Sequence, residues 1–386
     1  MDAFTANWNY PTQMKVGVER SKDLPDICRM VGIQAPLFVT DPGLAELPMT
    51  SALIQRCERQ GHRVSLFSNI KSNPNGENVI AGVQAFRAGR HDGVIAFGGG
   101  SALDAAKAIA LMVGQDRALW DFEDVGDNWL RVNAQGIAPT IAVPTTAGTG
   151  SEVGRASVIT DEKSQVKRII FHPDMLPNVV ILDPNLTVGL PPHITAATGM
   201  DALSHALEAL CAPFYHPMAE GIAIEAIRLV KENLPLAVAQ GDHLEARMNM
   251  LVASSMGATA FQRGLGAMHA LAHALGAMYD KHHGLLNAVL MPYVLKANRV
   301  AIEKPIARLA NYLQLSSSDF DGFYAWVIEL RQQLEIPHTF ADIGLDDQLA
   351  NLVGQKAYQD PSAGGNPIQF SEAEYTKLFL NALHGA

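Results

Sequence analysis

Cysteine is scarce in this sequence: Cys28, Cys57 and Cys211 are the only three in 386 residues. They stand far apart in sequence and form no C-x-x-C pair. That pattern excludes a disulfide framework or a thiolate metal site and points to a reducing compartment. The chain also lacks any run of about 18 apolar residues, the minimum for a membrane-spanning helix. Its longest apolar stretches are broken by His, Asp or Gly. The opening MDAFTANWNYPTQ has no basic segment followed by an apolar one, so no signal peptide is expected, and the protein is expected to be soluble and cytoplasmic. Positive charge is not in excess either. With 29 Lys and Arg against 39 Asp and Glu, the net charge is −10, and no basic cluster offers a footprint for nucleic acid or an anionic membrane.

What is present is an ordinary globular composition, 48% hydrophobic and 18% charged, which excludes extended disorder. The length exceeds one comfortable hydrophobic core, so two domains are expected. The first half alternates short apolar runs with helical patterns. Strands are expected at Gln13–Val18, Ala35–Thr40, Arg63–Phe67, Gly93–Phe97, Thr140–Pro144, Arg168–Phe171 and Val179–Leu182, with helices such as Glu77–Arg87 and Ala102–Met112 between them. This alternation predicts an α/β domain with a largely parallel sheet covered on both faces. Ser101, before an Ala-rich run, reads as a helix N-cap. From about Thr195 onward helical periodicity dominates and no strand is evident. The Pro- and Gly-bearing stretch Leu186–Pro192 is the natural seam. The expectation is an α/β domain over residues 1–190 and an all-helical domain over 191–386, with ligands held in a cleft between them.

Two loops carry the chemistry of nucleotide binding. Phe97-Gly98-Gly99-Gly100-Ser101 follows an apolar strand and opens a helix, so that small residues admit a phosphate close to the backbone and free N–H groups point at it. The third glycine of G-x-G-x-x-G is missing, and a tight strand-to-helix turn would need the same small residues. Pro144-Thr145-Thr146-Ala147-Gly148-Thr149-Gly150-Ser151-Glu152 also follows a strand and crowds hydroxyls with little bulk. Two such loops at strand C-termini favour a nucleotide over two unrelated turns.

A second constellation suggests a metal. In Gly199-Met200-Asp201-Ala202-Leu203-Ser204-His205, Asp201 and His205 are four apart and share a helix face that is otherwise apolar. They could satisfy one another as a structural pair. However, Gly264–Gly276 carries His269 and His273 one turn apart on a nearly uncharged helix, and His282 and His283 follow within ten residues. Four histidines in fifteen residues beside a buried Asp/His pair exceed what packing needs. One carboxylate with several imidazoles suits Fe²⁺ or Zn²⁺ rather than Mg²⁺ or Ca²⁺.

These segments resemble the iron-containing (group III) metal-dependent alcohol dehydrogenase family over almost the whole chain. The matching motifs are GGGSALDAAK at Gly98–Lys107, PTTAGTGSEV at Pro144–Val153, GMDALSHALEA at Gly199–Ala209, the His-rich stretch His269–Gly284, and Asp360 with Asn366-Pro367. The resemblance implies a cofactor-binding α/β domain, a helical metal-binding domain and a homodimer. It also implies an NAD-dependent oxidoreductase that moves a hydride between NAD(H) and a small primary alcohol or aldehyde, diols and hydroxyaldehydes included. The metal would be Fe²⁺, with Zn²⁺ possible, held by Asp201, His205, His269 and His283, and His273 would lie close to the substrate as a proton relay. Gly98, Gly99 and Ser101 would bind the pyrophosphate. Thr145, Thr146 and Thr149 would lie near the ribose and nicotinamide, and Asp41 would meet the adenosine ribose. Two positions depart from the family pattern: His282 replaces the usual Pro before the last ligand, and Gly154 replaces the Thr after SEV, which would widen the substrate space.

Two neighbouring activities fit less of the sequence. A dehydroquinate-synthase-like lyase shares the implied architecture, but its phosphorylated substrate calls for several cations, and only Arg263 and Lys281 stand near the metal motifs. A hydroxyacid–oxoacid transhydrogenase would keep its cofactor bound, so release on dialysis would separate it from a dehydrogenase. A metal-holding scaffold would leave both nucleotide loops without purpose.

Overall fold

The computed structural model describes residues 12–164 and 166–386. Of the opening segment on which the signal-peptide expectation rests, only Thr12 and Gln13 fall among them. The chain divides into two compact units, with the boundary between Gly189 and Leu190.

The first unit contains six strands in one sheet: β1 (Gln13–Val16), β2 (Pro36–Val39), β3 (Ser65–Phe67), β4 (Gly93–Gly98), β5 (Thr140–Pro144) and β8 (Val179–Leu182). Every pairing in it is parallel, in the order β1-β8-β5-β4-β2-β3. The inner strands PLFV, GVIAFG, TIAVP and VVIL are buried at every residue. Continuous apolar runs rather than alternating ones are what a sheet covered on both faces demands. Five helices belong to this unit: α1 (Leu24–Met30), α2 (Pro42–Ala45), α3 (Pro48–Arg59), α4 (Gly76–Ala88) and α5 (Gly100–Met112). From β2 the chain moves outward to β3, whereas from β4 it moves the other way to β5. The strand order therefore reverses between β2 and β4, and the carboxyl ends of those strands form the crevice where open α/β sheets hold ligands.

One strand expectation needs correction. Arg168–Phe171 belongs to β7 (Val166–Phe171), which is not in the parallel sheet but pairs antiparallel with β6 (Ala156–Asp161) in a separate two-stranded sheet. The strand β6 was not anticipated. Its alternating burial is the mark of a strand with one solvated face, a weaker signal than a wholly apolar run. The cysteines form no disulfide among the described residues, as expected, although two of them are neighbours in the fold. Cys28 on α1 and Cys57 on α3, distant in sequence, meet in the core beside the sheet, their thiols hydrogen-bonded to one another, and that contact together with burial pushes the Cys28 thiol far up. Both are free thiols.

The second unit holds α6 (Pro192–Cys211), α7 (Pro217–Ala239), α8 (Leu244–Ala260), α9 (Ala267–Tyr279), α10 (His283–Tyr312), α11 (Phe320–Gln333), α12 (Ala350–Gln359) and α13 (Glu372–His384), and no strand among the described residues. Helix α6 is its axis. It is buried from Thr195 to Leu210 and packs against α7, α8 and α10. Glycines set the closeness of these contacts. A Cβ on Gly199 would lie 2.2 Å from Leu234, and one on Gly284 would lie 2.4 Å from the Ala197 carbonyl oxygen. No helix among the described residues is long and apolar enough to cross a membrane.

Candidate metal centre and nucleotide loops

At the reversal point of the sheet, β4 ends on Gly98 with φ 144°, a conformation that L side chains rarely adopt. The loop after β5 is laid directly against it. The Thr145 N–H donates to the Gly98 carbonyl at 2.9 Å. A Cβ on Gly99 would stand 3.3 Å from Thr146 Oγ1, and one on Gly100 would stand 2.5 Å from Thr149 Cγ2. The glycines of the first loop thus make room for the threonines of the second. Asp41, just past β2, caps α2 by accepting the Leu44 N–H at 3.0 Å, while its other oxygen lies on the Gly98 side. The structure therefore brings Asp41, Gly98, Gly99, Thr145, Thr146 and Thr149 to one edge.

Ser101 does not cap α5. The helix begins two residues earlier than that cap implies, at Gly100, with Gly99 as its N-cap in extended conformation. The Ser101 hydroxyl instead donates to the Ser72 carbonyl. Behind the loops sits an ion pair that sequence reading overlooked. Lys107 Nζ, fully buried, lies 3.2 Å from Asp104 and donates to the carbonyls of Ser151 and Ala156. Asp104 in turn accepts from the Ser151 hydroxyl and the Val158 N–H. A buried charge of this kind is tolerable only when paired and hydrogen-bonded, and the pair ties α5 to the second loop. Gly154 adjoins it, since a Cβ there would lie 3.5 Å from Lys107 Nζ.

In the helical unit, α6 contributes Asp201 and His205, α9 contributes His269, and the first residue of α10 is His283. Each offers one ligand atom, and these atoms all lie within 4.8 Å of one another. Asp201 Oδ1 is 3.6 Å from His283 Nε2. The His205 and His269 rings stack with centroids 4.5 Å apart. Gly284 is required for this meeting, because a Cβ would come within 3.0 Å of the Asp201 Cβ and push α10 off α6. Asp201 does not pair simply with its helix neighbour His205: it accepts from Asn287 Nδ2 at 2.9 Å, and that same nitrogen lies 3.3 Å from His269 Nε2 and 3.2 Å from His283 Nε2. Three imidazoles and a carboxylate converging in a largely buried group fit a divalent transition metal.

His273 stands beside this group rather than within it. Its Nδ1 lies 3.0 Å from Asp360 Oδ2, and Asp360 Oδ1 accepts the Ser362 N–H at 2.8 Å. Burial alone would raise the Asp360 pKa, but His273 and Ser362 hold its carboxyl below the usual range. His282 is exposed and caps α10, its Nδ1 accepting the Leu285 N–H at 3.4 Å. Arg263 and Lys281 are committed elsewhere. Arg263 binds the carbonyls of Ala209, Leu210 and Phe214 and pairs with Glu220, and Lys281 donates to the Ile343 carbonyl. Sequence reading missed Glu208, whose carboxylate accepts from His269 Nδ1 at 2.7 Å. Burial opposes protonation of His269, yet Glu208 outweighs it and holds that ring's pKa above the ordinary histidine value.

The family model described as iron-containing alcohol dehydrogenase matches residues 11–184, and the model of the C-terminal domain of the Fe-containing alcohol dehydrogenase family matches residues 195–383. The chain is 36% identical over 366 residues to a 4-hydroxybutyrate dehydrogenase of Cupriavidus necator, covering 92% of this chain and 94% of the relative. It is 32% identical over 384 residues to an NAD-dependent methanol dehydrogenase of Bacillus methanolicus, covering 98% of this chain and 100% of the relative. Among solved structures, a 1,3-propanediol oxidoreductase superposes with a TM-score of 0.93 at 33% identity, covering 98% of this chain and 100% of that one.

Proposed function

Since the chain belongs to the iron-containing alcohol dehydrogenase family, we propose that it interconverts a small primary alcohol or diol and the corresponding aldehyde with NAD(H), using a divalent metal held by Asp201, His205, His269 and His283. The observation that carries this reading is the meeting of those four ligand atoms, from three helices, within 4.8 Å. Relatives named for 4-hydroxybutyrate, 1,3-propanediol and methanol share one chemical element, a primary carbinol carbon. Of the candidate metals, Fe²⁺ is the family's namesake, and Zn²⁺ suits the same donors and binds such sites more tightly.

The bound cation supplies Lewis acidity, which lowers the pKa of an alcohol hydroxyl toward neutrality. The remaining work falls to the chain. NAD⁺ would take the hydride of the carbinol carbon and the hydroxyl proton would leave separately, so that alcohol and NAD⁺ would give aldehyde, NADH and one proton. On this reading His273 moves that proton. Asp360 accepts at Nδ1, so the ring carries its hydrogen there and presents Nε2 as the acceptor. In the α/β unit, the N–H groups at the start of α5 and the residues Gly98, Gly99 and Ser101 receive the pyrophosphate. Thr145, Thr146 and Thr149 line the ribose and nicotinamide, and Asp41 accepts from the adenosine ribose hydroxyls. On this reading the unit ending at Gly189 binds the cofactor and the helical unit binds the metal. The free, buried Cys28 and Cys57 thiols support a cytoplasmic setting, and a homodimer follows from the family resemblance.

Arg263 and Lys281, the two cations that flank the metal motifs in sequence, are both engaged by other groups, and this argues against a phosphorylated acid and lyase chemistry. A panel of short alcohols, diols and aldehydes, assayed with NAD(H) after anaerobic reconstitution with Fe²⁺, tests the proposal. Metal-dependent turnover of primary alcohols is the expected result, and full activity of a metal-free preparation would overturn it.

A further inference from the structure

Glu208 lies on α6, three residues beyond His205, and its side chain is only 5% exposed. Three groups converge on its carboxylate. Oε2 receives the Gly266 N–H and His269 Nδ1, each at 2.7 Å, and Oε1 receives the Met268 N–H at 2.7 Å. Two of these are backbone N–H groups at the start of α9, where the unpaired donors and the helix dipole favour a negative charge. Gly266 is shaped to let the carboxylate in, because a Cβ there would lie 2.9 Å from Glu208 Oε1 and from Asn366 Oδ1.

We propose that Glu208 is a positioning residue of the metal centre, which holds His269 as the Nδ1–H tautomer and so keeps the Nε2 lone pair aimed at the ligand group. The inference rests on reading the cluster as a metal site. A carboxylate can only accept, so each of its three partners must donate, and His269 must carry its hydrogen on Nδ1. The other ring nitrogen then faces Asn287 Nδ2 and the remaining ligands. No neutral isostere reproduces this. A glutamine at 208 has one acceptor oxygen and one donating nitrogen. With its oxygen at the Oε2 position, its NH₂ confronts the Met268 N–H. With its oxygen at the Oε1 position, the NH₂ confronts the Gly266 N–H and donates to His269 Nδ1, which moves the ring hydrogen to Nε2 and removes the ligand lone pair. Only the carboxylate satisfies all three donors and leaves Nε2 free to bind.

The test compares wild type with Glu208→Gln by titrating Zn²⁺ alone into chelator-stripped protein against a chromogenic chelator, and by reading the His269 tautomer from ¹⁵N shifts of the imidazole nitrogens. Glu208→Gln should weaken Zn²⁺ about 10- to 100-fold and, at a pH where the ring is neutral, raise the share of the Nε2–H form of His269 in the metal-free protein. Gly266→Ala keeps the charge but crowds the carboxylate, and it should weaken Zn²⁺ in the same direction; should Glu208→Gln fail to fold, this variant decides. Stoichiometric zinc in wild type with unchanged affinity in a folded variant overturns the role of Glu208 and leaves the metal site standing. A wild type that takes up no zinc overturns the metal reading and this proposal with it.

Discussion

The imidazole of His273 lies nearly parallel to that of His283, with centroids 5.3 Å apart and planes 17° from parallel, yet only His283 belongs to the group of four residues whose donor atoms converge. The two rings differ in their partners. His273 is turned to Asp360, whereas His283 Nε2 faces Asp201. We therefore expect His273→Ala to retain its metal and to lose turnover by about 10²-fold or more, the usual range for a positioned proton-transfer group. His205→Ala should lose both, with metal affinity reduced beyond the roughly 100-fold typical of an outer partner. Metal analysis alongside steady-state rates distinguishes the two residues. If His273→Ala sheds metal as fully as His205→Ala, its assignment outside the metal group is wrong.

Cofactor choice should follow Asp41. A carboxylate at the end of β2 accepts from the ribose hydroxyls of NAD and repels the 2′-phosphate of NADP. Asp41→Gly should raise the NADP/NAD ratio of kcat/KM by about tenfold or more, because a like charge at contact is removed. The accompanying loss of stability should be small. Glycine is tolerated at an N-cap at a cost of about a few tenths of a kcal/mol, so losing the Leu44 hydrogen bond is not by itself disruptive. An unchanged ratio would leave Asp41 as the cap of α2 alone.

Gly284→Ala tests whether helix proximity builds the metal group. The new methyl would meet the Ala197 carbonyl oxygen at 2.4 Å and the Asp201 Cβ at 3.0 Å, so α10 must retreat from α6. We expect a destabilisation of about 1–3 kcal/mol, typical of overpacking, together with weaker zinc binding. Thermal unfolding with and without zinc measures both effects. A variant with wild-type midpoint and zinc affinity would show that the two helices tolerate separation.

Acid sensitivity should be visible at the β6–β7 turn. Burial would raise the Asp161 pKa, but the Ser164 hydroxyl, the Arg168 guanidinium and the Lys163 N–H hold its carboxyl below the ordinary value of 3.8. A group depressed in the folded state adds stability above its unfolded pKa and loses that contribution as pH falls through the folded one. Asp161→Asn should therefore be less stable than wild type at neutral pH, and the gap should narrow below about pH 4. Unfolding midpoints measured from pH 7 to pH 2 give the comparison, and a constant gap would contradict it.

Much of the molecule is legible in the sequence because local rules decide it. Four- to six-residue runs that are apolar at nearly every position and lead into glycine or threonine loops mark β2, β4 and β5, since such runs have nowhere to go but a sheet covered on both faces. The i, i+4 spacing of Asp201 and His205 puts both on one side of α6 whatever the rest of the chain does. Histidine content alone does not identify ligands. His216, His243 and His282 are equally prominent in the sequence, yet each caps a helix by accepting a backbone N–H, from Ala219, Ala246 and Leu285 respectively.

Local sequence suffices for the α/β-then-helical order, the two Gly- and Thr-rich loops and the residue types of the Asp/His cluster. Tertiary structure decided which groups face one another. The partners of Glu208 on α9 lie 58 to 61 residues away, Asp360 reaches His273 across 87, and Asn287 reaches Asp201 across 86. Cys28 and Cys57, separate in sequence, share one core. The β6–β7 hairpin left the parallel sheet for the same reason: a strand's partner is chosen by which edge it reaches. Spacing along a helix or strand fixes direction within one element. Pairing between elements depends on how closely their backbones approach, and here that is set by single glycines such as Gly266 and Gly284, whose importance shows only when the neighbouring chain is in place.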